Sequence, residues 1–401
     1  MSFGKPLSVQ LPSSKSISNR WLILQRLSEG DIRLDGLSDS TDTRTLQRLL
    51  QDDGVDHDAG DGGTTFRFML AILSLLPGTH RLTGNSRMAQ RPMKELIDAL
   101  SGLGAVIHTD PGSGLFPLTI EGGHMVGGRV EIGAETSSQF ISALALIGPF
   151  LKNGLEISIE GKVVSRSYID MTLKILHQAG IQVNATTDLL KISPSSIKSQ
   201  RVLIERDWSS AAFFYEACAL KPGLTVHFPG LFFTGFQGDE AVADFFSDLG
   251  VTTSLEENGI KIHSFELEKK ARLRFDLIDC PDLMPALTMT CFGRKQRVLF
   301  SGVRHLRLKE SDRIQVLADA IQSQGGDIEV GDDTFELIGF PVENRSFNID
   351  SCNDHRIAMS MAMFSASGCP VSLAGSDSVS KSFPGFWDAI EPLKLPVSRC
   401  S

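Results

Sequence analysis

Four segments of the chain are rich in Ser, Thr, Gly or Asp and are typical of helix starts. They are residues 12–20 (PSSKSISNR), 60–67 (GDGGTTFR), 136–139 (TSSQ) and 207–211 (DWSSA). The first turn of a helix offers unpaired N–H groups and the positive end of the helix dipole, so it binds phosphates and carboxylates readily. Each segment therefore predicts either an anion site or simply the capped start of a structural helix.

The first segment predicts a helix with two different faces. At about 100° per residue, one sector is polar and is expected to look away from the core, with Lys15, Ser16, Asn19 and Arg20. The opposite sector is apolar, with Ile17, Trp21 and Leu24. The second segment lacks the endings of a P-loop and of a dinucleotide-binding turn, so its glycines and Arg67 indicate an anion site or a plain tight turn.

Three further clusters combine charges in ways that suit acid–base chemistry. Lys309 and Arg313 are four residues apart on a predicted helix, where like charges repel unless an anion lies between them. Asp282 is surrounded by apolar residues and prolines, which favour a raised pKa and proton transfer. Asp354 either orients Arg356 toward a ligand or only caps a helix. For all three clusters, ordinary capping and solvated charge are the alternatives.

The elements that must position these residues follow one recurring pattern, in which an apolar helical stretch ends in Gly and a short β-like stretch follows. The glycines expected at positive φ are Gly54, Gly104, Gly180, Gly250 and Gly325. Their irregular spacing fits a few large αβ units, although unrelated helix–strand turns would look similar. With 401 residues, two or three domains are expected. The interleaved pattern predicts a mixed α/β fold.

Composition excludes several classes of protein. A net charge of −9 argues against broad nucleic-acid binding. No apolar run approaches the roughly 20 residues that span a bilayer, and no signal pattern opens the chain, so we expect a cytoplasmic protein with no membrane partner. The six scattered cysteines are expected to be reduced. No pair of histidines has metal-ligand spacing, and no role is predicted for His57, His80, His177 and His263.

Nine segments, in this order along nearly the whole chain, resemble 5-enolpyruvylshikimate-3-phosphate synthases, a family of enolpyruvyl transferases. They are SSKSISNR, GDGGTTFR, RPMKELIDALSGLGA, SSQFISAL, SRSYIDMTL, DWSSAAFF, LKESDRI, DHRIAM and SKSFPGFW. The resemblance implies transfer of the enolpyruvyl group of phosphoenolpyruvate to the 5-hydroxyl of shikimate 3-phosphate. Phosphate is released through a tetrahedral ketal, without a metal or organic cofactor, in the pathway to chorismate and the aromatic amino acids.

The resemblance also implies an architecture. It is an α/β fold of two similar domains, each built from three repeated αβ units, which form the inside-out α/β barrel of the enolpyruvyl transferases. Residues 1–14 plus 207–401 are expected to form the phosphoenolpyruvate-side domain. Residues 15–206 are expected to form the shikimate-3-phosphate-side domain, with the active site in the cleft between them. The protein is expected to be a monomer.

Site residues are carried over from the family position by position. Those implied for shikimate 3-phosphate are Lys15, Ser16, Arg20, Ser137, Ser138, Gln139, Ser165, Arg166, Tyr168, Asp282 and Lys309. Those implied for phosphoenolpyruvate are Lys15, Gly63, Arg67, Arg91, Gln139, Arg313, Arg356 and Lys381. The implied catalytic residues are Lys15, Asp282, Lys309 and Glu310.

Two positions depart from the family pattern. Asp61 opens the Gly-rich turn where the family usually has Asn, and a carboxylate there would repel a phosphate unless it is turned away or protonated. His305 stands where many members have Asn. Both departures concern details of the phosphoenolpyruvate half, and neither removes an implied acid, base or phosphate-binding cation.

Three rival functions fit the sequence less well. UDP-N-acetylglucosamine enolpyruvyl transferases place a Cys before the Arg-Pro of the first domain, whereas residues 85–91 (NSRMAQR) contain none. A non-catalytic phosphate-ligand binding protein would be favoured by loss of Asp282, Lys309 or Glu310, and all three are present. An RNA-end-processing relative would be expected to have an excess of basic over acidic residues, which this chain lacks.

Overall fold

The computed structural model describes residues 6–28, 32–109, 116–133, 137–161, 163–342 and 346–400. These residues form two compact units. The N-terminal unit is the continuous stretch Ser14–Ile204, and the C-terminal unit combines the residues up to Ser13 with those from Glu205 onward. In the portion of the chain that the structure describes, every helix is too short or too polar to cross a membrane.

The helices and strands alternate along the chain. The α-helices are α1 (Lys15–Leu27), α2 (Thr41–Gln51), α3 (Gly63–Leu75), α4 (Ser86–Ala89), α5 (Lys94–Gly102), α6 (Ser138–Ile147), α7 (Arg166–Gln178), α8 (Trp208–Leu220), α9 (Val242–Ser247), α10 (Met284–Gly293), α11 (Arg313–Ser323), α12 (His355–Phe364) and α13 (Phe386–Ile390). The 3₁₀ segments are Gly148–Phe150, Gly238–Ala241, Pro281–Leu283, Arg304–Leu308, Ser365–Ser367, Ser376–Lys381 and Glu391–Leu393. The strands are β1 (Leu7–Ser8), β2 (Ile32–Asp35), β3 (Asp56–Asp58), β4 (Gly78–Thr83), β5 (Val106–Thr109), β6 (Leu118–Gly122), β7 (Gly128–Gly133), β8 (Leu155–Glu160), β9 (Val183–Ala185), β10 (Leu189–Ile192), β11 (Gln200–Leu203), β12 (Thr225–Pro229), β13 (Val251–Glu256), β14 (Gly259–Ser264), β15 (Leu273–Asp276), β16 (Val298–Ser301), β17 (Asp327–Val330), β18 (Thr334–Gly339), β19 (Phe347–Asp350), β20 (Val371–Ala374) and β21 (Val397–Cys400).

Among the described residues, one sheet topology occurs four times. The four-stranded sheets have the orders β3-β4-β6-β5, β7-β8-β10-β9, β1-β12-β14-β13 and β15-β16-β18-β17. In each of them the first two strands of the order are parallel. The second and third strands, and the third and fourth, are antiparallel. A smaller parallel sheet accompanies each unit, β2-β11 in the first and β19-β20-β21 in the second. The α/β class predicted from the sequence is confirmed.

The central helices of each unit are buried on every side. In the C-terminal unit, α8, α10 and α12 are buried at nearly every position. In the N-terminal unit, α3 and α6 are similarly enclosed. A helix that is apolar all round belongs inside a protein, whereas strands such as β18 bury only alternate residues. Within each unit the sheets therefore cover helices that carry much of the core.

The glycines predicted to end helices in a left-handed conformation do so at four of five positions. Positive φ angles occur at Gly104, Gly180, Gly250 and Gly325. The prediction for Gly54 is wrong, because the chain turns there by a different device. The carboxylate of Asp52 accepts a hydrogen bond from the Gly54 N–H at 2.9 Å, which makes the turn without a left-handed residue.

A buried acid lies among the central helices of the C-terminal unit. Glu216 on α8 has no exposed surface. Burial raises the pKa of the Glu216 carboxyl well above 4.5, and the Ser360 hydroxyl on α12 opposes this shift only in part. The folded protein therefore keeps the proton on Glu216 at pH values where the unfolded chain has lost it, and this difference lowers stability as pH rises above about 4.5.

Glu216→Gln is expected to raise the melting temperature by a few degrees at pH 8 and to change it less at pH 5, because the amide removes the cost of keeping a buried acid protonated. Thermal unfolding followed by circular dichroism at both pH values measures this. Exposed Glu257 is the matched control, and Glu257→Gln should have little effect at either pH. A melting temperature for Glu216→Gln that rises equally at both pH values would contradict the assigned direction of the pKa shift.

Candidate active site

The starts of three helices meet in the N-terminal unit. Lys15 is the first residue of α1, and its Nζ forms an ion pair with the Asp42 carboxylate of α2 at 3.0 Å. The hydroxyl of Thr65 on α3 donates to the Asp42 carbonyl at 3.2 Å. Sequence reasoning missed Asp42, because its place in a first helical turn looks like simple capping. Lys15 is thus fixed by α2 at a point where the positive ends of helix dipoles converge.

Two guanidinium groups lie against the first residue of α3. A Cβ atom built on Gly63 would be 2.5 Å from Nη1 of Arg91 and 2.8 Å from Nη1 of Arg67. Arg67 also donates to Oε1 of Gln139 at 2.6 Å and to the Pro92 carbonyl at 3.1 Å. The structure therefore brings together four of the predicted phosphoenolpyruvate residues. Two fixed cations at a helix N-terminus form a strong site for an anion.

Arg20 lies in a different environment from the one predicted. The polar sector of α1 was expected to look away from the core, but Asn19 and Arg20 are both buried, the latter at 2% exposure. Helices α6 and α7 supply the reason, because the Arg20 guanidinium donates to Thr172 at 2.7 Å and to Ser142 at 3.2 Å. The Ser16 and Tyr168 carbonyls accept two further bonds, and burial lowers the pKa of Arg20 to about 10. Arg20 therefore remains a cation at neutral pH.

The serines implied for the 3-phosphate lie at the starts of α6 and α7, which pack together. Ser137 caps α6 by accepting from the Gln139 N–H at 3.3 Å, and Ser138 is the first residue of that helix. Ser165 precedes α7 with a φ of 55°, a left-handed conformation that is uncommon outside glycine.

The other predicted residues of α7 are Arg166 and Tyr168, and both contact other parts of the N-terminal unit. Arg166 donates to the Asp170 carboxylate at 2.9 Å and to the Thr187 carbonyl at 3.0 Å, so its guanidinium is held by its own helix and a neighbouring turn. The ring of Tyr168 lies 5.9 Å from the Arg20 guanidinium carbon. A role for Arg166 and Tyr168 in substrate binding stays a prediction.

In the C-terminal unit, Arg313 holds three carboxylates at the start of α11. Its guanidinium, 1% exposed, donates to Asp354 at 2.8 Å, to Asp282 at 2.8 Å and to Glu310 at 3.1 Å. Burial alone would lower the pKa of Arg313, but the three carboxylates together raise it. The structure therefore joins Asp282 and Glu310, the two residues predicted to move protons, through one permanent cation.

Asp354 caps α12, one of its two predicted roles, and also binds the Arg313 side chain. One oxygen of its side chain caps α12 by accepting from the Arg356 N–H at 2.9 Å. The other oxygen accepts from the Arg313 guanidinium. The guanidinium of Arg356 instead pairs with the second oxygen of Asp282 at 2.8 Å. Of the two alternatives for Asp354, the helix cap is therefore confirmed, and both arginines belong to one cluster with Asp282.

Lys309 and Arg313 do not share a helix face, and that prediction is wrong. Helix α11 begins only at Arg313, because Asp312 caps it by accepting from the Gln315 N–H at 3.0 Å. Lys309 follows the 3₁₀ segment Arg304–Leu308 in an extended conformation.

His305 lies near this cluster, and Lys381 lies in a segment that packs on α12. Burial and nearby Lys309 lower the pKa of His305 to about 3, so its imidazole is neutral at pH 7. Lys381 is buried at the end of the segment Ser376–Lys381, which packs on α12. Among the residues with described positions, no group of three or more His, Cys, Asp or Glu side chains could hold a metal ion.

Asp239 is a further acid that sequence reasoning missed. It is 3% exposed in the segment Gly238–Ala241 and accepts a hydrogen bond from Ser209 of α8. Burial and the neighbouring Asp282 raise the pKa of Asp239 to about 7. The local sequence gave no signal, because two consecutive acids in a short turn are typical of a solvated surface.

Comparisons with known sequences identify relatives of this chain. The sequence model of the EPSP synthase (3-phosphoshikimate 1-carboxyvinyltransferase) family matches residues 50–390. A Bacteroides fragilis protein named 3-phosphoshikimate 1-carboxyvinyltransferase is 37% identical over 388 residues, covering 95% of this chain and 93% of the relative. A Sulfurovum protein of the same name is 32% identical and covers 96% of both chains.

Two solved structures share the fold. EPSP synthase from Acinetobacter baumannii has a TM-score of 0.74 at 23% identity, covering 96% of this chain and 95% of that one. The enolpyruvyl transferase NikO from Streptomyces tendae has a TM-score of 0.71 at 16% identity, covering 98% of this chain and 96% of that one. The resemblance found in the sequence is confirmed, and the chain belongs to the EPSP synthase family, the 3-phosphoshikimate 1-carboxyvinyltransferases.

Proposed function

We propose that the residues described above carry out the enolpyruvyl transfer of this family on shikimate 3-phosphate and phosphoenolpyruvate. The reaction joins C2 of phosphoenolpyruvate to the 5-hydroxyl oxygen of shikimate 3-phosphate and releases phosphate, one step in the biosynthesis of chorismate and the aromatic amino acids. The observation that carries this proposal is the contact of Arg313 with both Asp282 and Glu310. It fixes two carboxyl groups side by side, with Arg356 bound to one of them.

The reaction needs two proton transfers in its first half. A proton goes to the methylene carbon of phosphoenolpyruvate while the 5-hydroxyl oxygen attacks C2 and loses its own proton. In the second half, phosphate leaves the tetrahedral ketal as the new methyl group gives a proton back. Asp282 and Glu310 are proposed as the groups that exchange these protons. Lys309 is proposed to stabilise charge at the reacting centre.

Cations are needed because both substrates are polyanions that repel each other. Fixed positive charges cancel this repulsion without any reorganisation during the reaction. Lys15, Arg67 and Arg91 are proposed to bind phosphoenolpyruvate from the N-terminal unit. Arg313, Arg356 and Lys381 are proposed for the same substrate from the C-terminal unit. Shikimate 3-phosphate is proposed to bind at the polar groups that start α1, α6 and α7.

The release of inorganic phosphate tests the activity. We expect phosphate only when shikimate 3-phosphate and phosphoenolpyruvate are supplied together, measured with a coupled colorimetric assay. UDP-N-acetylglucosamine in place of shikimate 3-phosphate should give none. Release with the nucleotide sugar would assign the chain to the other branch of enolpyruvyl transferases, and release from phosphoenolpyruvate alone would indicate a phosphatase.

Gly63→Ala is expected to raise the KM for phosphoenolpyruvate by about 10- to 100-fold, corresponding to about 1.4 to 2.7 kcal/mol. The new methyl group would overlap the guanidinium groups of Arg91 and Arg67 and push both from their positions. Steady-state kinetics with each substrate varied in turn measures this, and the KM for shikimate 3-phosphate should change less. Gly102→Ala, where no atom lies within 4 Å of the added methyl group, is the matched control and should leave both values unchanged.

The finer architecture is also a proposal. The recurring sheets around buried helices support an inside-out α/β barrel of the enolpyruvyl transferase type in each unit. The residue boundaries of the two domains, a shared cleft between them, a monomeric state and a cytoplasmic location stay predictions of the sequence.

A further inference from the structure

Two buried hydroxyl groups beside Arg20 have no role in the site described so far. Thr172 on α7 and Ser142 on α6 belong to the segments SRSYIDMTL and SSQFISAL, which also contain residues implied for shikimate 3-phosphate. Both side chains are 0% exposed. The Arg20 Nε–H donates to Oγ1 of Thr172 at 2.7 Å, and Nη2 donates to Oγ of Ser142 at 3.2 Å. This pair of hydroxyls therefore holds two of the three nitrogens of one guanidinium.

The four hydrogen bonds described for Arg20 all end at neutral oxygen atoms. Besides the two hydroxyls, the carbonyls of Ser16 and Tyr168 accept from Nη1 at 2.8 Å and from Nη2 at 3.1 Å. Arg313 in the C-terminal unit is equally buried, but it binds three carboxylates. Burial of a charge is costly unless an opposite charge compensates it. An anionic substrate would supply this compensation for Arg20.

The bond to Thr172 fixes the plane of the guanidinium. Nε carries a single N–H, and Thr172 accepts it, so a substrate oxygen can be reached only from Nη1 or Nη2. Because a guanidinium is rigid and planar, the direction of Nη1 and Nη2 follows from the direction of Nε. The guanidinium carbon also lies over the Phe68 ring, 5.6 Å from its centre. Loss of the Thr172 hydroxyl would leave the Nε–H buried without an acceptor and let the plane tilt.

The Thr172 hydroxyl is itself held in one orientation. Its Oγ1 lies 2.9 Å from the Tyr168 carbonyl, one turn earlier in α7, and 2.9 Å from Oγ of Ser142. A β-branched side chain in a helix has few χ1 choices, and a bond to the carbonyl four residues earlier selects one of them. The acceptor for Arg20 is therefore in place before a substrate binds.

The same contacts join the three helix starts at which shikimate 3-phosphate is proposed to bind. Through the carbonyls of Ser16 and Tyr168, Arg20 connects the first turns of α1 and α7. Through Ser142 it is also bonded to α6. The two arginines proposed for phosphoenolpyruvate in this unit lie instead against the first residue of α3. A disturbance at Thr172 should therefore affect shikimate 3-phosphate more than phosphoenolpyruvate.

We propose that Thr172, assisted by Ser142, is a positioning residue for shikimate 3-phosphate that acts by fixing the direction of the Arg20 guanidinium. Both hydroxyls are fully buried, so they act through Arg20 and not by their own contact with the substrate. The inference rests on the proposed function, in which Arg20 contributes to the binding of this substrate.

Thr172→Val is the test, because valine keeps the shape of the side chain and removes the hydroxyl. We expect the KM for shikimate 3-phosphate to rise by at least about tenfold, the loss typical of a hydrogen bond to a charged group. The KM for phosphoenolpyruvate and kcat should change by less than about threefold, because the contact affects the binding of one substrate only. Calorimetry with shikimate 3-phosphate alone should show the same loss of affinity. Thr172→Ser keeps the hydroxyl and should restore most of the affinity.

Thr290→Val is the matched control. Thr290 on α10 is also 0% exposed, and its hydroxyl donates to the Ala286 carbonyl four residues earlier at 2.7 Å. The control therefore removes the same kind of helical hydroxyl at a position with no proposed link to a substrate. Its KM for shikimate 3-phosphate should equal that of the unmodified protein.

Three results would overturn the proposal while the unmodified protein is active. They are an unchanged KM for shikimate 3-phosphate in Thr172→Val, an equal rise in the KM of both substrates, and a loss in Thr172→Ser as large as that in Thr172→Val. If thermal unfolding shows that Thr172→Val is not folded, Ser142→Ala decides, with an expected rise of about threefold in the same KM. An unmodified protein that neither binds shikimate 3-phosphate nor releases phosphate would overturn the proposed function, and this inference with it.

Discussion

Glu310→Gln is expected to lower kcat by about two to four orders of magnitude, the usual contribution of a general acid–base group. The amide keeps an oxygen that can accept from Arg313, so the arrangement around Asp282 and Arg313 should persist. It cannot give up or take a proton in the reaction. Steady-state kinetics should therefore show a loss in kcat with little change in the KM of either substrate.

Glu329→Gln is the matched control, because Glu329 is exposed on β17 in the same unit. Its kcat should equal that of the unmodified protein. An unchanged kcat for Glu310→Gln would remove Glu310 from the mechanism. A loss confined to substrate affinity would make it a binding residue only.

Arg356→Ala is expected to weaken the affinity for phosphoenolpyruvate by about 100-fold, which corresponds to about 2.7 kcal/mol, within the range for hydrogen bonds to charged groups. The variant loses a cation that should bind the substrate. It also leaves one oxygen of Asp282 without its partner at 2.8 Å, which adds unbalanced negative charge where an anion must bind. Steady-state kinetics, with phosphoenolpyruvate varied at saturating shikimate 3-phosphate, measures the change as a rise in KM.

Two further variants serve as a conservative substitution and a control for Arg356→Ala. Arg356→Lys should recover only part of the affinity, because an ammonium group lacks the two-pronged geometry of a guanidinium. Arg304→Ala, at an exposed arginine whose partner Asp332 lies at 3.4 Å, should leave the affinity unaltered. Unchanged phosphoenolpyruvate binding in Arg356→Ala would contradict the assignment of Arg356 to that substrate.

Local signals in the sequence predicted local features well. Residues 207–211 are typical of a helix start, and Asp207 there caps α8 by accepting from the Ser210 N–H at 2.8 Å. Glycines at helix ends were located in the same way, because a cap depends on residues within one or two turns. The prediction for Gly54 is wrong only because a hydrogen bond to the Asp52 carboxylate makes the turn instead. The cluster of motifs also sufficed to identify the family.

Contacts between distant segments could not be predicted in this way. The polar sector of α1 reads as a solvent-facing surface, and its burial depends on Ser142 and Thr172, more than a hundred residues away. Likewise, Asp354 holds Arg313 across 41 residues of sequence. Lys309 was placed on a helix because charge spacing suggests one, whereas the cap at Asp312 decides where the helix begins. Tertiary packing overrides periodicity in each case.

The pairing of β1 with β12 has a consequence for how the protein is made. Leu7 lies beside Val226 in a parallel pair, although the whole of the N-terminal unit separates them in the chain. During translation, the stretch from Ser14 to Ile204 emerges complete and can fold while synthesis continues. The strand that precedes it must remain unpaired until its distant neighbour leaves the ribosome, and such a long closure slows the final step. The sheet that joins β1 to β12 is therefore completed only after the whole N-terminal unit has been synthesised.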